Sequence, residues 1–232
     1  MVERTLPGTP PVSLTLRRSQ RARRFSLRVS RLDGRVTLSM PAQASEAEAL
    51  AFAGDKAAWL RGVLAEAAPR RDIRVGAALP FEGRALTVTA APVRAVRMAG
   101  DALLVPPDEA RLGARIVAFL KFAARQRLQA ESERYAAAIG QRIEAITLRD
   151  TRSRWGSCTQ SGRLMYSWRL IMAPADVLSY VAAHEVAHLV EMNHSPDFWS
   201  VVGHLMPDHN RHRRWLRTHG NDLHRIDFCI TD

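Results

Sequence analysis

His184, Glu185 and His188 stand in the order His-Glu-Val-Ala-His. On a helix, residues four apart lie one turn above each other on one face, so His184 and His188 can offer two imidazole nitrogens to one metal ion. Glu185 is next to that pair but turned off its axis. A carboxylate there can hold and deprotonate a water without filling a metal position. These residue types at this spacing imply zinc-dependent hydrolysis, with peptide bonds as the first substrate to consider.

A catalytic zinc takes three protein ligands and keeps one position open for water. No glutamate follows Glu191, and Glu191 itself is too near His188 to act as a long-range third ligand. His194 lies six positions after His188, the spacing of the third histidine in metzincin-type sites, although Glu191 stands where those sites have glycine. Asp197, His204, Asp208 and His209 are the alternatives. In the arrangement favoured by spacing, neutral His184, His188 and His194 hold Zn2+, and Glu185 carries the proton of the activated water to the leaving amine. Arg154, Tyr180 and His209 are candidates for a second stabiliser of the oxyanion.

Those residues need helices with sharp ends. Ala173-Pro174 leads into the first, proline being tolerated where a helix N–H has no partner anyway. That helix must stop soon after Val190, and Asn193 tolerates the left-handed conformation such a stop requires. Ser195-Pro196 reads as the cap and first residue of the next helix, and a last helix over residues 208–219 is expected to end at Gly220. Upstream, a helix over residues 108–139 is stopped by Gly140, followed by strands at residues 143–148 and 164–170.

The first part of the chain is richer in strands. Residues 1–11 are proline-rich and polar and read as a mobile arm. Leu14 and Leu16, then Phe25, Leu27 and Val29, alternate with polar residues, and Asp33-Gly34 turns the chain into Val36, Leu38 and Met40. Ser45 and Glu48 form a capping-box pattern opening a helix to about Glu66. Strands are expected at residues 78–81 and 85–89 about Glu82-Gly83, and at 93–98 and 102–105 about Gly100. The whole is an α+β chain: an arm (1–11), a β-rich region with one helix (12–107), and a domain over 108–232 that carries the HExxH helix.

Composition narrows the function classes. No apolar run approaches the roughly 20 residues of a membrane span, and the N-terminus lacks the apolar core of a signal peptide, so a cytoplasmic location and no membrane partner are expected. Cys158 and Cys229 are too few and too distant in sequence for a disulfide framework. The net charge of +11 allows a nucleic-acid contact, since arginines cluster at Arg17, Arg18, Arg21, Arg23, Arg24 and Arg28 and again at Arg211, Arg213, Arg214 and Arg217. Yet Lys56 and Lys121 are the only lysines, and arginine over lysine with abundant alanine is what a GC-rich coding bias produces.

Several segments resemble one family. RSRWGSC (152–158), WRLIMAP (168–174), YVAAHEVAHL (180–189), NHSPDFW (193–199) and PDHNRHRRWL (207–216), with RRFSLRVSRLDGRVTLSMP (23–41) upstream, are similar to the YgjP-like metallopeptidases, relatives in motif of the SprT-like proteins. The resemblance implies a zincin-like domain, zinc as cofactor, ligands at His184, His188 and His194, catalytic Glu185, and a protein or peptide substrate. Two other readings stay open: a SprT-like protease held on DNA by the basic clusters, and a non-catalytic scaffold with a structural zinc, for which Cys158 would be a fourth ligand.

Overall fold

A computed structural model describes residues 2–30, 34–65 and 70–228 and divides the chain into two units, Met1–Arg70 and Arg71–Asp232. In the first, Val2–Leu6 is strand β1 rather than a mobile arm. It pairs antiparallel along its whole length with β2 (Val12–Ser19), because Leu6 can join Val12, Leu14 and Leu16 in the core. Strands β3 (Ser26–Val29) and β4 (Val36–Pro41) complete a sheet of order β1-β2-β4-β3, with β2 and β4 parallel. Gly34 takes the positive φ expected of the turn; its partner Asp33 lies outside the described residues.

The capping box forms as expected. The Ser45 hydroxyl accepts from the Glu48 N–H, and the Glu48 carboxylate accepts from the Ser45 N–H at 2.8 Å. Such a cap stabilises a helix by about 0.5–2 kcal/mol. The single helix expected here is instead two, α1 (Glu46–Asp55) and α2 (Ala57–Ala65), broken at Lys56; Glu66 lies outside the described residues. Ala49, Ala53 and Leu60 are buried against the sheet residues Val36, Leu38 and Met40.

The second unit begins earlier than the boundary at residue 108. It opens with β5 (Arg71–Asp72), followed by β6 (Ala78–Phe81), β7 (Arg84–Ala90), β8 (Arg97–Ala99) and β9 (Ala102–Val105), the last four in a sheet of order β6-β7-β9-β8. Their inward residues Leu79, Phe81, Leu86, Val88, Leu103 and Val105 share one core with the helices that follow, which is why these strands belong to this unit. Glu82 and Gly83, both at positive φ, make the expected hairpin turn.

Helix α3 (Leu112–Ala138) is preceded by a 3-10 turn at Glu109–Arg111, so it starts later than expected. It ends at Gly140 as the sequence indicates: Gly140 has φ +66°, its N–H donates to Ala137 O, and the Gln141 N–H donates to Ala136 O at 2.9 Å. Strands β10 (Ala145–Arg149), β11 (Gly156–Cys158) and β12 (Arg163–Ser167) form a second sheet of order β10-β12-β11. The expected strand to residue 170 stops at Ser167 and passes into a 3-10 turn, Trp168–Met172. Strand β11 falls in a stretch read as a connection.

Helices α4 (Ala175–Ala187), α5 (Pro196–Leu205) and α6 (His209–His224) finish the unit, with β13 (Ile226–Asp227) pairing parallel to β5. Helix α6 runs straight through Gly220. A Cβ there would sit 3.0 Å from the Trp155 indole, so this glycine admits a close contact and caps nothing. Buried hydroxyls fasten α3 to the site-bearing elements: Ser132 to Tyr166 of β12 at 2.9 Å, and Tyr135 to Ser179 of α4 at 2.8 Å. Arg169 pins the end of α6. Its guanidinium forks onto Asp150 at 2.7 and 3.1 Å and donates to the Leu223 and Ile226 carbonyls at 3.0 and 3.1 Å.

This end of α6 carries a pH dependence. His224 stacks on Trp155 at 4.8 Å, and burial, aided by Arg169, lowers its pKa from about 6.5 to about 4. The unfolded chain therefore binds more protons between those values, so the stability His224 contributes is complete above about pH 6.5 and lost as pH falls towards 4. In denaturant titrations across this window, His224→Gln should show a shallower decline in stability than the parent; equal slopes would contradict the assignment.

Candidate metal centre

The HExxH segment lies on α4, whose residues Val177 to Ala183 are nearly all buried. The helix ends at Ala187 with His188 as its C-cap, a turn sooner than Val190. His188 keeps helical dihedrals (φ −66°, ψ −13°), which preserves the one-turn relation to His184. The return of the chain uses no left-handed residue at Asn193. Instead the Asn193 side-chain oxygen accepts from the Ser195 N–H at 2.9 Å, and the Ser195 hydroxyl then caps α5 by accepting from the Phe198 N–H. A local side-chain bond replaces the strained backbone as the means of turning.

His194 is thereby brought back onto the helix. One nitrogen from each of His184, His188 and His194 lies within 4.8 Å of the others, and the Nε2 atoms of His184 and His194 are 3.2 Å apart. An ion held tetrahedrally at about 2.0–2.1 Å spaces its nitrogens roughly 3.3 Å apart, so this pair already has the separation of two ligands. His188 Nδ1 donates to the Glu191 carbonyl at 2.9 Å, which fixes its tautomer and leaves Nε2 as a free lone pair. His184 is held neutral: burial first, then His188, His194 and Arg213, lower its pKa to about 3. Burial also lowers that of His188. Neutral imidazoles from two directions are the donor set a divalent borderline metal accepts.

Phe198 supports all three rings. It is fully buried, lies stacked on His188 at 4.4 Å, and meets His184 and His194 edge-on at 4.9 and 4.8 Å. His194 is the exposed member, so the cluster is closed beneath and open on one side.

Glu185 is buried at 5% exposure, and burial pushes its pKa up to about 8 against the opposing charge of Arg154. Gly156 of β11 makes room for it. A Cβ on Gly156 would lie 2.5 Å from Glu185 Oε1 and 2.6 Å from its Cγ, so no larger residue fits while the carboxylate stays in place. Of the candidates for a second stabiliser, Tyr180 is buried with its ring 6.0 Å from that of His184. Arg154 is exposed, and His209 stacks on Trp199 at 5.8 Å. Asp197, His204, Asp208 and His209 are not in the metal-competent group; Asp208 instead bonds His212 at 3.0 Å.

Gly156, Phe198 and Trp199 were not singled out from the sequence. A glycine before a cysteine and aromatics in a helical first turn look the same whether they shape a site or fill a core.

The HExxH helix and the returning chain bring together three imidazoles that could hold a metal ion. The family model for the YgjP-like metallopeptidase domain matches residues 23–219. The chain belongs to that family. Among solved structures it is similar to the crystal structure of the metallopeptidase zymogen of Pyrococcus abyssi abylysin, at 17% identity and a TM-score of 0.36, over 39% of this chain and 93% of that one. No curated protein matches.

The fit between Gly156 and Glu185 yields a test. Gly156→Ala should lower peptide turnover by about 100-fold through displacement of the carboxylate while leaving bound metal unchanged. Full turnover in that variant would show that the contact does not position Glu185.

Proposed function

We propose that the chain is a zinc-dependent peptidase in which His184, His188 and His194 hold the ion and Glu185 is the general base. The observation that carries this reading is the convergence of three imidazole nitrogens within 4.8 Å beside a buried carboxylate on the same helix. Bound zinc would supply Lewis acidity, polarising the scissile carbonyl and bringing the pKa of a water to about 7. Glu185 would take a proton from water at the site and return it to the leaving amine. Its dry environment raises its proton affinity, and the Arg154 charge acts in the opposite direction.

Strand β11 supports a peptide substrate. It is one of the two edges of its sheet and lies beside Glu185, where an extended chain could add to it as a further strand. The scaffold reading is disfavoured by Cys158, which is outside the histidine group. No helix among the described residues is long and apolar enough to cross a membrane.

Glu185→Gln tests the mechanism. Zinc content should stay at the parental level while turnover of a cleaved peptide falls by about 100- to 10,000-fold. Unchanged turnover would remove Glu185 from the role.

A second reading, a protease recruited to nucleic acid, draws support from Arg211, Arg213, Arg214 and Arg217, all exposed on α6 and without an ion pair among the described residues. If all four meet phosphates, the logarithm of the affinity should fall against that of salt concentration with a slope of about −3 to −4. A flat salt dependence would dismiss this reading.

A further inference from the structure

Arg169 is forked onto Asp150, and Arg134 is paired with Glu131 at 2.5 Å. Arg213 shares with Arg211, Arg214 and Arg217 the lack of an ion pair among the described residues, and of these four it is the one that lies over an aromatic ring. Its guanidinium lies 4.6 Å above the Trp199 ring and makes no hydrogen bond or ion pair among the described residues. A guanidinium carries five N–H donors, and those of Arg213 have no protein acceptor among the described residues.

The group beneath it is tied to the metal centre. The Trp199 ring lies 5.8 Å from that of His184, 6.0 Å from that of His194 and 5.1 Å from that of Phe198. On the α6 side the same ring is stacked by His209, one helical turn before Arg213. Arg213 is thus a fixed, exposed cation one aromatic ring removed from the three imidazoles.

We infer that Arg213, held on Trp199, is a specificity-determining residue that binds a carboxylate of the peptide substrate next to the scissile bond. The planar fork of a guanidinium matches a carboxylate through two parallel N–H···O bonds, and stacking on the indole holds that fork in place before substrate arrives. The substrate class is therefore peptides with an acidic side chain, or the C-terminal carboxylate, beside the cleaved bond. This inference rests on the peptidase reading.

The test uses full-length, zinc-loaded Glu185→Gln, so that peptides bind without being turned over. Fluorescein-labelled peptides carrying Asp or Glu at successive positions, and the same peptides with Asn or Gln, are titrated by anisotropy, each with a free or an amidated C-terminus. Carboxylate peptides should bind about 10-fold or more tightly than their amide partners. Adding Arg213→Ala should abolish that difference without weakening the amide peptides, and Arg213→Lys should restore part of it. A preference that follows the side chain, or the free C-terminus, identifies which carboxylate is bound. The inference is overturned if carboxylate and amide peptides bind alike, if the preference survives Arg213→Ala, or if that change weakens both sets equally. Mass spectrometry of the same peptides with the wild-type chain separates the two failures. Cleavage with no Arg213-dependent preference sinks the inference alone, whereas Arg213-dependent binding with no cleavage sinks the peptidase reading and leaves the carboxylate site.

Discussion

Two imidazole nitrogens facing each other at 3.2 Å set the terms for the second unit. A neutral ring in the right tautomer can donate its N–H across that gap, and a metal ion held by both nitrogens would take the place of that proton. In either case the surrounding structure must hold the rings converged. Phe198 does this from below, at 4.4–4.9 Å from all three rings. Burying one such aromatic contributes roughly 1.5–3 kcal/mol to the packing around the rings.

Convergence in turn depends on three mechanical choices. Helix α4 must be immobile, which its buried face and the Tyr135–Ser179 bond ensure. The chain must leave the helix at His188 and return by residue 194, which the Asn193 and Ser195 side-chain bonds accomplish without strained backbone. Helix α6 must lie close enough to carry His209 and Arg213 onto Trp199. Arg169 fixes its far end and Gly220 permits its approach to Trp155.

Much of this was legible in the residues. The His-Glu-Val-Ala-His spacing, the Ser195-Pro196 start, the Ser45–Glu48 cap and the Gly140 stop are local, one-turn patterns, and each appears where its local physics puts it. What was not legible depends on partners distant in sequence. Strand β11 is three residues long and becomes a strand only by pairing with β12. Gly220 looks like a helix stop until Trp155 is seen against it, and Asn193 looks like a left-handed residue until its side chain finds Ser195. Residues 2–6 read as an arm because five polar-alternating residues gain order only from the length of β2 beside them. The division of the chain at Arg70 follows a shared core, which no local pattern announces.

Whether three histidines, and no sulfur, hold one zinc is measured directly by X-ray absorption and elemental analysis of the chain purified without added metal. One zinc per chain is expected, with a shell of nitrogen and oxygen, imidazole scattering from three residues, and loss of one imidazole in His194→Ala. A sulfur in the shell, or a chain that takes up no zinc on reconstitution, would contradict it.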